Sequence, residues 1–296
     1  MTYQKNIVFK GAATAMATPF KDGKVDYDTL ARMIDFQINE GIDALLFCGT
    51  TGESSTMPDN EHMDVIRFGV NYTKGRVPVI ANTGSNDTAH AVELSKMAQE
   101  AGADALLSVA PYYNKSIQRG LVRHFEVIAD SVELPVILYN VPSRTVVNID
   151  AATIIRLSQV PNIVGVKECN IFQVADIISG TPDDFTVYSG SDDEVLQFMA
   201  LGARGLISVM SNIIPGKTHA ITESYLKGDI VTSRNIFYEI HPLVKALGLE
   251  TNPIPIKKAL SLMGYGTGDV RLPLVEMDDD HTGILKEAMK KHRLIK

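Results

Sequence analysis

The sequence has few cysteines, no long apolar run and no excess of positive charge, and each of these absences excludes a class of protein. Only two of its 296 residues are cysteines, too few for a disulfide framework. No cluster of cysteine and histidine has the spacing of a metal site. We therefore expect reduced thiols and no structural zinc. We also expect no cofactor.

The charge balance argues against nucleic acid and anionic membranes as partners. The chain has 28 basic and 35 acidic residues, a net charge of −7, and no basic block. Its longest apolar stretches run only a few residues, and the N-terminus lacks the apolar segment that a signal peptide needs. These features predict a soluble cytoplasmic protein.

A short phrase, a helix stop followed by a strand, recurs three times. It occupies residues 40–46, 101–107 and 201–207, each with glycine in second position. Gly41 and Gly102 suit the left-handed position that ends a helix. The spacing of the phrases fits two and then four βα units of roughly 25 to 30 residues. It predicts that the phrases contain strands two, four and eight.

Other short apolar runs are typical of a parallel sheet covered on both faces. A doubly wound open sheet normally carries a Gly-x-Gly-x-x-Gly fingerprint after its first strand, and none is present. Eight strands, each followed by a helical segment, instead predict an α/β fold, a (β/α)8 TIM barrel. The remaining runs are residues 13–17, 78–81, 135–138, 162–166 and 185–188.

Strand patterns stop near residue 230. Helical stretches follow at residues 233–247 and 255–263, with prolines between them. We predict a catalytic barrel at residues 1–230 and a C-terminal helical extension at residues 231–296, packed on the barrel or on a neighbouring subunit.

Lys167 directly follows the apolar run at residues 162–166, so its amine is expected where a buried strand ends. Desolvation disfavours the ammonium form, which lowers the pKa of such a lysine and leaves some free, nucleophilic amine near neutral pH. An imine-forming lysine is therefore one interpretation. A lysine whose stem packs while its ammonium group reaches water is the other.

Polar residues follow further predicted strands, at the edge where a barrel places its active site. The turn at residues 49–54 has backbone N–H groups suited to a carboxylate, or is simply a capped turn into the next helix. Tyr113 and Tyr139 suit proton transfer during imine formation, or packing with their hydroxyls in water. The planar guanidinium group of Arg144 suits two-pronged binding of a second carboxylate, or Arg144 is simply a surface cation.

Together these motifs resemble the dihydrodipicolinate synthase family of pyruvate-dependent Schiff-base lyases over nearly the whole chain. The motifs include Gly-Thr-Thr-Gly-Glu at residues 49–53 and Gly-Val-Lys-Glu at residues 165–168; the first of them and Lys167 are shared with a wider superfamily that includes N-acetylneuraminate lyases. Tyr-Asn-Val-Pro-Ser-Arg at residues 139–144 is more specific to the synthase family, since neuraminate lyases resemble it only up to the proline. The likeness also includes residues 111–114, 189–193, 252–257 and 271–274.

The resemblance implies an enzyme of diaminopimelate and lysine biosynthesis that joins pyruvate to aspartate semialdehyde. Lys167 is expected to form the imine with pyruvate, and the Thr51 backbone to hold its carboxylate. Arg144 is expected to bind the carboxylate of the second substrate. The implied proton relay is Tyr139, Thr50 and Tyr113, and the implied backbone positions beside the imine are Gly190 and Ile207.

The resemblance also implies an assembly, because Tyr113 is expected to reach in from an adjacent subunit. That role requires at least a dimer, and we expect a homo-oligomer, with a tetramer favoured over a dimer.

A cleft at which lysine inhibits many relatives departs here from their pattern. Asp59 stands where lysine-sensitive relatives have a histidine, and His90 where they have a glutamate that grips the ligand. An imidazole cannot replace a carboxylate facing an ammonium group, so we expect weak or absent inhibition by lysine. The other cleft residues are Ser54, Ser55, His62, Asn86 and Tyr112.

Two other functions stay open. A related aldolase acting on N-acetylneuraminate or a keto-deoxy sugar acid needs a wider polar rim than Arg144 indicates. A non-catalytic binding barrel requires a broken site, whereas Lys167, both tyrosines and Thr50 are present. Cys48 and Cys169 lie near the motifs and are interpreted as small apolar residues.

Overall fold

The computed structural model describes Lys5 and residues 7–296, in which strands and helices alternate. The strands are β1 (Gly11–Ala15), β2 (Phe20–Lys21), β3 (Lys24–Val25), β4 (Ala44–Phe47), β5 (Val79–Asn82), β6 (Ala105–Val109), β7 (Val136–Asn140), β8 (Ile163–Glu168), β9 (Thr186–Ser189) and β10 (Gly205–Ser208). The α-helices are α1 (Tyr27–Asn39), α2 (Asp59–Thr73), α3 (Thr88–Glu100), α4 (Gln118–Asp130), α5 (Pro142–Thr145), α6 (Ala151–Leu157), α7 (Val174–Gly180), α8 (Val195–Ala200), α9 (Pro215–Leu226), α10 (Ile230–Leu247), α11 (Ile254–Leu262) and α12 (Asp279–Lys291).

Eight parallel strands close into a barrel in the order β1-β10-β9-β8-β7-β6-β5-β4, which confirms the predicted TIM barrel. The three repeated phrases contain β4, β6 and β10, the second, fourth and eighth barrel strands. Gly41, Gly102 and Gly202 all have positive φ, as a residue that ends a helix in the left-handed region requires. The apolar runs are explained by burial, since β1, β4, β5, β7 and β8 are buried along their whole length.

The chain divides into two compact units. The first contains Lys5, residues 7–10 and residues 78–207, and therefore strands β5 to β9, the start of β10 and helices α3 to α8. Lys5 is buried in this unit, where its Nζ donates to the carbonyls of Ser158 at 2.5 Å and Val160 at 2.9 Å, and to that of Ile163. This buried ammonium group ties the start of the described chain to the loop before β8.

The second unit contains residues 11–77 and 208–296, with strands β1 to β4 and helices α1, α2 and α9 to α12. Helix α10 packs on α9 and α12, and the predicted helical stretches correspond to α10 and α11. Helix α12 was not among the predicted helical stretches, although Leu285 and Met289 of this polar helix are buried one turn apart. The division into a barrel at residues 1–230 and an extension at residues 231–296 stays a prediction.

The described helices lack a membrane-spanning candidate, because none of them is both long and apolar enough.

Candidate active site

Lys167 is buried at the carboxyl end of β8. Its side chain is 5% exposed, and its Nζ lies 4.5 Å from the centre of the Tyr139 ring. Burial lowers the pKa of Lys167; Cys169 and Asp192 oppose this change, and the charge of Arg144 adds to it. An ammonium group in water does not fit so buried a side chain, whereas a nucleophilic amine does.

Strand register places Tyr139 beside Lys167. The two residues are direct partners in the parallel pairing of β7 with β8, and Asn140 pairs with Glu168 one position further. Paired residues of neighbouring strands carry their side chains on the same face of the sheet. The Tyr139 side chain is only 7% exposed, so its ring borders the amine in a largely desolvated environment.

Glu168, the last residue of β8, is fully buried and binds the ends of β7 and β8 to each other. Its Oε1 accepts hydrogen bonds from Asn140 Nδ2 at 2.8 Å, Cys169 N–H at 2.9 Å and Asn170 N–H at 2.7 Å. Its Oε2 accepts one from Gln173 Nε2 at 2.8 Å. No role was predicted for Glu168, although a charged residue that ends an apolar strand is itself a signal of a buried network.

Glu168 makes the stability of the protein depend on pH. Burial raises its pKa from the usual 4.5 to about 7, against the effect of four hydrogen bonds that favour the carboxylate. Between these values the folded protein holds a proton that the unfolded chain has lost, so stability falls as pH rises from about 4.5 to about 7, by on the order of 3 kcal/mol at most.

We therefore expect Glu168→Gln, which cannot ionise, to lose less thermal stability than the wild type when pH rises from about 5 to about 8. Thermal unfolding followed by circular dichroism measures both proteins across that range. Equal losses in the two proteins would contradict the prediction.

Gly190, directly after β9, leaves space beside the Lys167 side chain. Its N–H donates to the Glu168 carbonyl at 2.8 Å. A Cβ at this position would lie 2.4 Å from Cys169 Sγ and 3.2 Å from Lys167 Cε. The first distance is too short for any real contact, so a side chain here must displace the residues around the amine.

We expect Gly190→Ala to lower turnover by on the order of 10²-fold, because a shift of about 1 Å at a reacting group has that effect. The matched control is Gly283→Ala in α12, where no heavy atom lies within 4 Å of the added Cβ. A steady-state assay measures the turnover of both variants. Equal activity in the two would refute the expected displacement.

The other candidate residues of the first unit occupy different environments. Arg144 is exposed in α5, and its charge acts on the pKa of Lys167. Tyr113 is 91% exposed and has a left-handed φ of 69°. Ile207 is fully buried in β10. The structure thus groups Lys167 with Tyr139, whereas the Tyr113 side chain lies in solvent.

In the second unit, the turn at residues 49–53 follows β4 and is tightly closed. Gly52 N–H donates to Gly49 O at 3.0 Å, and Glu53 N–H donates to Thr50 O at 3.1 Å. Thr51 is buried, and Thr50 is partly exposed. Three residues support this turn, namely Asn252, Lys257 and Arg271. They lie in the stretches 252–257 and 271–274 that share the family likeness, and no role was predicted for them.

The residues predicted for the lysine cleft occupy different environments. Asp59 is exposed in the first turn of α2, whereas His62 of the same helix is buried. The ring of His90 in α3 lies with its Nδ1 3.2 Å from Ser85 Oγ. The remaining residues are Ser54 and Ser55 in the second unit, and Asn86 and Tyr112 in the first.

Neither thiol is activated as a nucleophile. Burial raises the pKa of Cys48, and it raises the pKa of Cys169 to about 11 although the charge of Lys167 opposes this change. Both groups therefore stay protonated near neutral pH. Among Lys5 and residues 7–296, no group of three or more His, Cys, Asp or Glu side chains could hold a metal ion.

Comparisons with known proteins agree in one family. The model of the dihydrodipicolinate synthetase family matches residues 8–292. A 4-hydroxy-tetrahydrodipicolinate synthase of Acetivibrio thermocellus is 55% identical over 288 residues, covering 97% of this chain and 99% of the relative. Another, from Thermoanaerobacter sp., is 52% identical over 292 residues, covering 98% of each chain.

Solved structures give the same family. Dihydrodipicolinate synthase of Aquifex aeolicus superposes with a TM-score of 0.95 at 45% identity, covering 97% of this chain and 99% of the other. The chloride-inhibited synthase of Acinetobacter baumannii complexed with pyruvate has a TM-score of 0.94 at 39% identity, covering 97% and 99%. A monomeric dihydrodipicolinate synthase variant has a TM-score of 0.96 at 37% identity, covering 97% and 98%.

Proposed function

Because the chain belongs to the dihydrodipicolinate synthetase family, we propose that it joins pyruvate to aspartate semialdehyde through an imine on Lys167. It is a Schiff-base lyase with 4-hydroxy-tetrahydrodipicolinate synthase activity, in diaminopimelate and lysine biosynthesis. We propose that the protein is located in the cytoplasm.

The observation that carries the proposal is the buried amine of Lys167 against the Tyr139 ring, with its pKa lowered by burial. A lysine attacks a carbonyl only as the free amine, and a lowered pKa increases the fraction of the side chain in that form. Its position at the carboxyl end of a barrel strand is where TIM-barrel enzymes carry their catalytic groups.

The first half of the proposed reaction activates pyruvate. Lys167 Nζ attacks the C2 carbonyl, giving a carbinolamine that loses water to form an iminium ion. The positive nitrogen makes the methyl protons acidic, and loss of one of them gives an enamine. Tyr139 is proposed to move protons in these steps, since formation and collapse of the carbinolamine both need a positioned acid and base.

The second half forms the carbon–carbon bond and releases the enzyme. The enamine carbon attacks the aldehyde carbon of aspartate semialdehyde, whose oxygen takes up a proton. The amino group of the adduct then attacks C2, closes the ring and displaces Lys167, which releases 4-hydroxy-tetrahydrodipicolinate. The iminium nitrogen serves as the electron sink, so the proposed reaction needs no cofactor.

The remaining roles rest on the family resemblance. Thr51 is proposed to hold the pyruvate carboxylate through its backbone, and Thr50 to share the proton relay. Gly190 and Ile207 are proposed to border the imine.

We propose a homo-oligomer, at least a dimer and with a tetramer favoured, in which Tyr113 serves the site of a neighbouring copy. Its 91% exposed side chain fits that role, because a partner is needed to bury it. Sedimentation velocity measures the state, and an active monomer would contradict the proposal.

Arg144 is proposed to select the carboxylate of aspartate semialdehyde. The test is turnover of pyruvate with the semialdehyde, coupled to a reductase that consumes the product, beside cleavage of N-acetylneuraminate. Turnover of the semialdehyde alone supports the synthase. Cleavage of the sugar acid without semialdehyde turnover would assign the chain to the aldolases instead.

We expect lysine to inhibit weakly or not at all, because His90 offers an imidazole where sensitive relatives place a carboxylate. Initial rates at increasing lysine concentration test this, and His90→Glu provides the converse variant, expected to gain sensitivity. Strong inhibition of the wild type at submillimolar lysine would overturn the expectation.

A further inference from the structure

Three residues from the C-terminal part of the second unit bind the turn that follows β4. Asn252 Nδ2 donates to Thr51 Oγ1 at 3.0 Å. Lys257 Nζ donates to Glu53 Oε1 at 2.5 Å, and the backbone N–H of Arg271 donates to Glu53 Oε2 at 2.9 Å. The turn is thus attached at two side chains, one of them the proposed carboxylate-binding residue.

The ion pair between Lys257 and Glu53 is almost completely buried, with side-chain exposures of 3% and 2%. The Lys257 ammonium group also lies 4.1 Å from the centre of the Phe20 ring, on the β2 strand. Burial lowers the pKa of Lys257, and the charge of Glu53 opposes this change. A buried charge is tolerated only beside a partner, so each of the two side chains holds the other in place.

Arg271 is itself fixed, which gives its backbone N–H a defined position. Its guanidinium group forms a two-pronged ion pair with Glu61 at 2.5 and 2.8 Å. It also donates to the carbonyls of Gly23 at 2.8 Å and Thr56 at 3.2 Å. The bond from Arg271 to Glu53 therefore joins the turn to a rigid group of residues.

The conformation of the turn explains why it needs these bonds. Glu53 adopts φ of 55°, in the left-handed region that disfavours residues other than glycine. A strained backbone persists only where its surroundings determine it. The buried carboxylate of Glu53 supplies that constraint, and the backbone N–H groups of the preceding residues depend on it for their direction.

We infer that Lys257 is a positioning residue: by holding Glu53, it keeps the turn at residues 49–53 in the conformation that binds the carboxylate of the 2-oxo acid substrate. This inference rests on the proposed function, because it assumes that the turn receives that carboxylate. It gives the C-terminal helical region a role in substrate binding.

The test measures imine formation directly. Pyruvate at increasing concentration is trapped on Lys167 with borohydride and quantified by mass spectrometry. We expect Lys257→Met to raise the half-saturating pyruvate concentration about tenfold or more while the limiting yield of adduct stays at the wild-type level. In the steady state, KM for pyruvate is expected to rise more than kcat falls.

Methyl pyruvate distinguishes a loss of carboxylate binding from damage to the imine lysine or to the fold, because the ester has the ketone but no negative charge. We expect trapping of the ester to be the same in Lys257→Met and in the wild type. Equal weakening of the acid and the ester would show that Lys257 acts on the imine lysine or on the fold, and would overturn the inference.

Lys5→Met is the matched control, since Lys5 is another buried lysine and lies in the first unit. It is expected to lower the thermal midpoint without changing the half-saturating pyruvate concentration. If Lys257→Met does not fold, the variant carrying both Glu53→Gln and Lys257→Met removes the two charges together and is expected to fold. Wild-type half-saturation in that double variant would also overturn the inference.

The outcome for the wild type keeps the two ideas distinct. If the wild type forms no pyruvate adduct, the proposed function fails and the inference fails with it. If the wild type forms the adduct and Lys257→Met keeps the same half-saturating concentration, only the inference fails.

Discussion

Lys167→Ala is expected to abolish turnover, lowering kcat by about four to six orders of magnitude, because removal of a covalent nucleophile has effects of that size. Alanine has no amine, so neither the iminium ion nor the enamine can form. Borohydride treatment with pyruvate is expected to leave the variant without an adduct, whereas the wild type gains a reduced pyruvyl group on Lys167. The coupled assay and mass spectrometry measure the two effects on the same preparations.

The control for this variant is Lys227→Ala. Lys227 is an exposed lysine whose Nζ bonds to Glu223 at 2.7 Å on the same helical surface. Its removal is expected to leave turnover and adduct formation unchanged, since a surface ion pair contributes little. Adduct formation in Lys167→Ala at the wild-type level would place the reactive amine elsewhere and refute the assignment.

Tyr139→Phe is expected to lower kcat by about 10²- to 10⁴-fold, the contribution of a positioned acid or base. Phenylalanine keeps the ring that lies against Lys167 Nζ and removes only the hydroxyl group. Pyruvate should therefore still be trapped on Lys167, but more slowly. The rate of trapping, measured by rapid mixing, is compared with steady-state turnover. Slow trapping that reaches the full yield of adduct indicates lost proton transfer, whereas a low yield indicates a damaged binding site.

Tyr72→Phe is the matched substitution. The Tyr72 hydroxyl donates to Asp35 at 2.7 Å, in the second unit, and has no part in the proposed chemistry. We expect turnover close to that of the wild type. If both phenylalanine variants lose activity equally, the hydroxyl of Tyr139 has no special role in the reaction.

The two strongest sequence signals were local. The three phrases with glycine in second position predicted a helix end followed by a strand, because a left-handed helix end favours glycine wherever it occurs. The apolar run before Lys167 also predicted a buried strand from a local pattern. A strand that is buried on both faces of a sheet has apolar residues at consecutive positions. Helix α12 was missed because its apolar stripe is narrow in an otherwise polar segment.

Residues that act through distant partners are not identified by local sequence patterns. Glu53 and Lys257 are 204 positions apart in sequence, so no periodic pattern relates them. The Glu168 network likewise depends on side chains from several elements, and only its buried position raises its pKa to about 7. Both cases are polar groups inside the protein. Burial sets the free-energy cost of their charged forms, whereas the sequence shows only the residue type.

The sequence by itself determined the alternation of strands and helices, the closed parallel barrel that follows from it, and the lysine at the end of a buried strand. The tertiary structure decided that Tyr139 pairs with Lys167, that Gly190 leaves space beside the amine, and that Lys257 holds the turn through Glu53. The physical reason is range: backbone preferences and apolar periodicity act between near neighbours in the chain, whereas registers, clashes and buried ion pairs exist only once distant segments have packed.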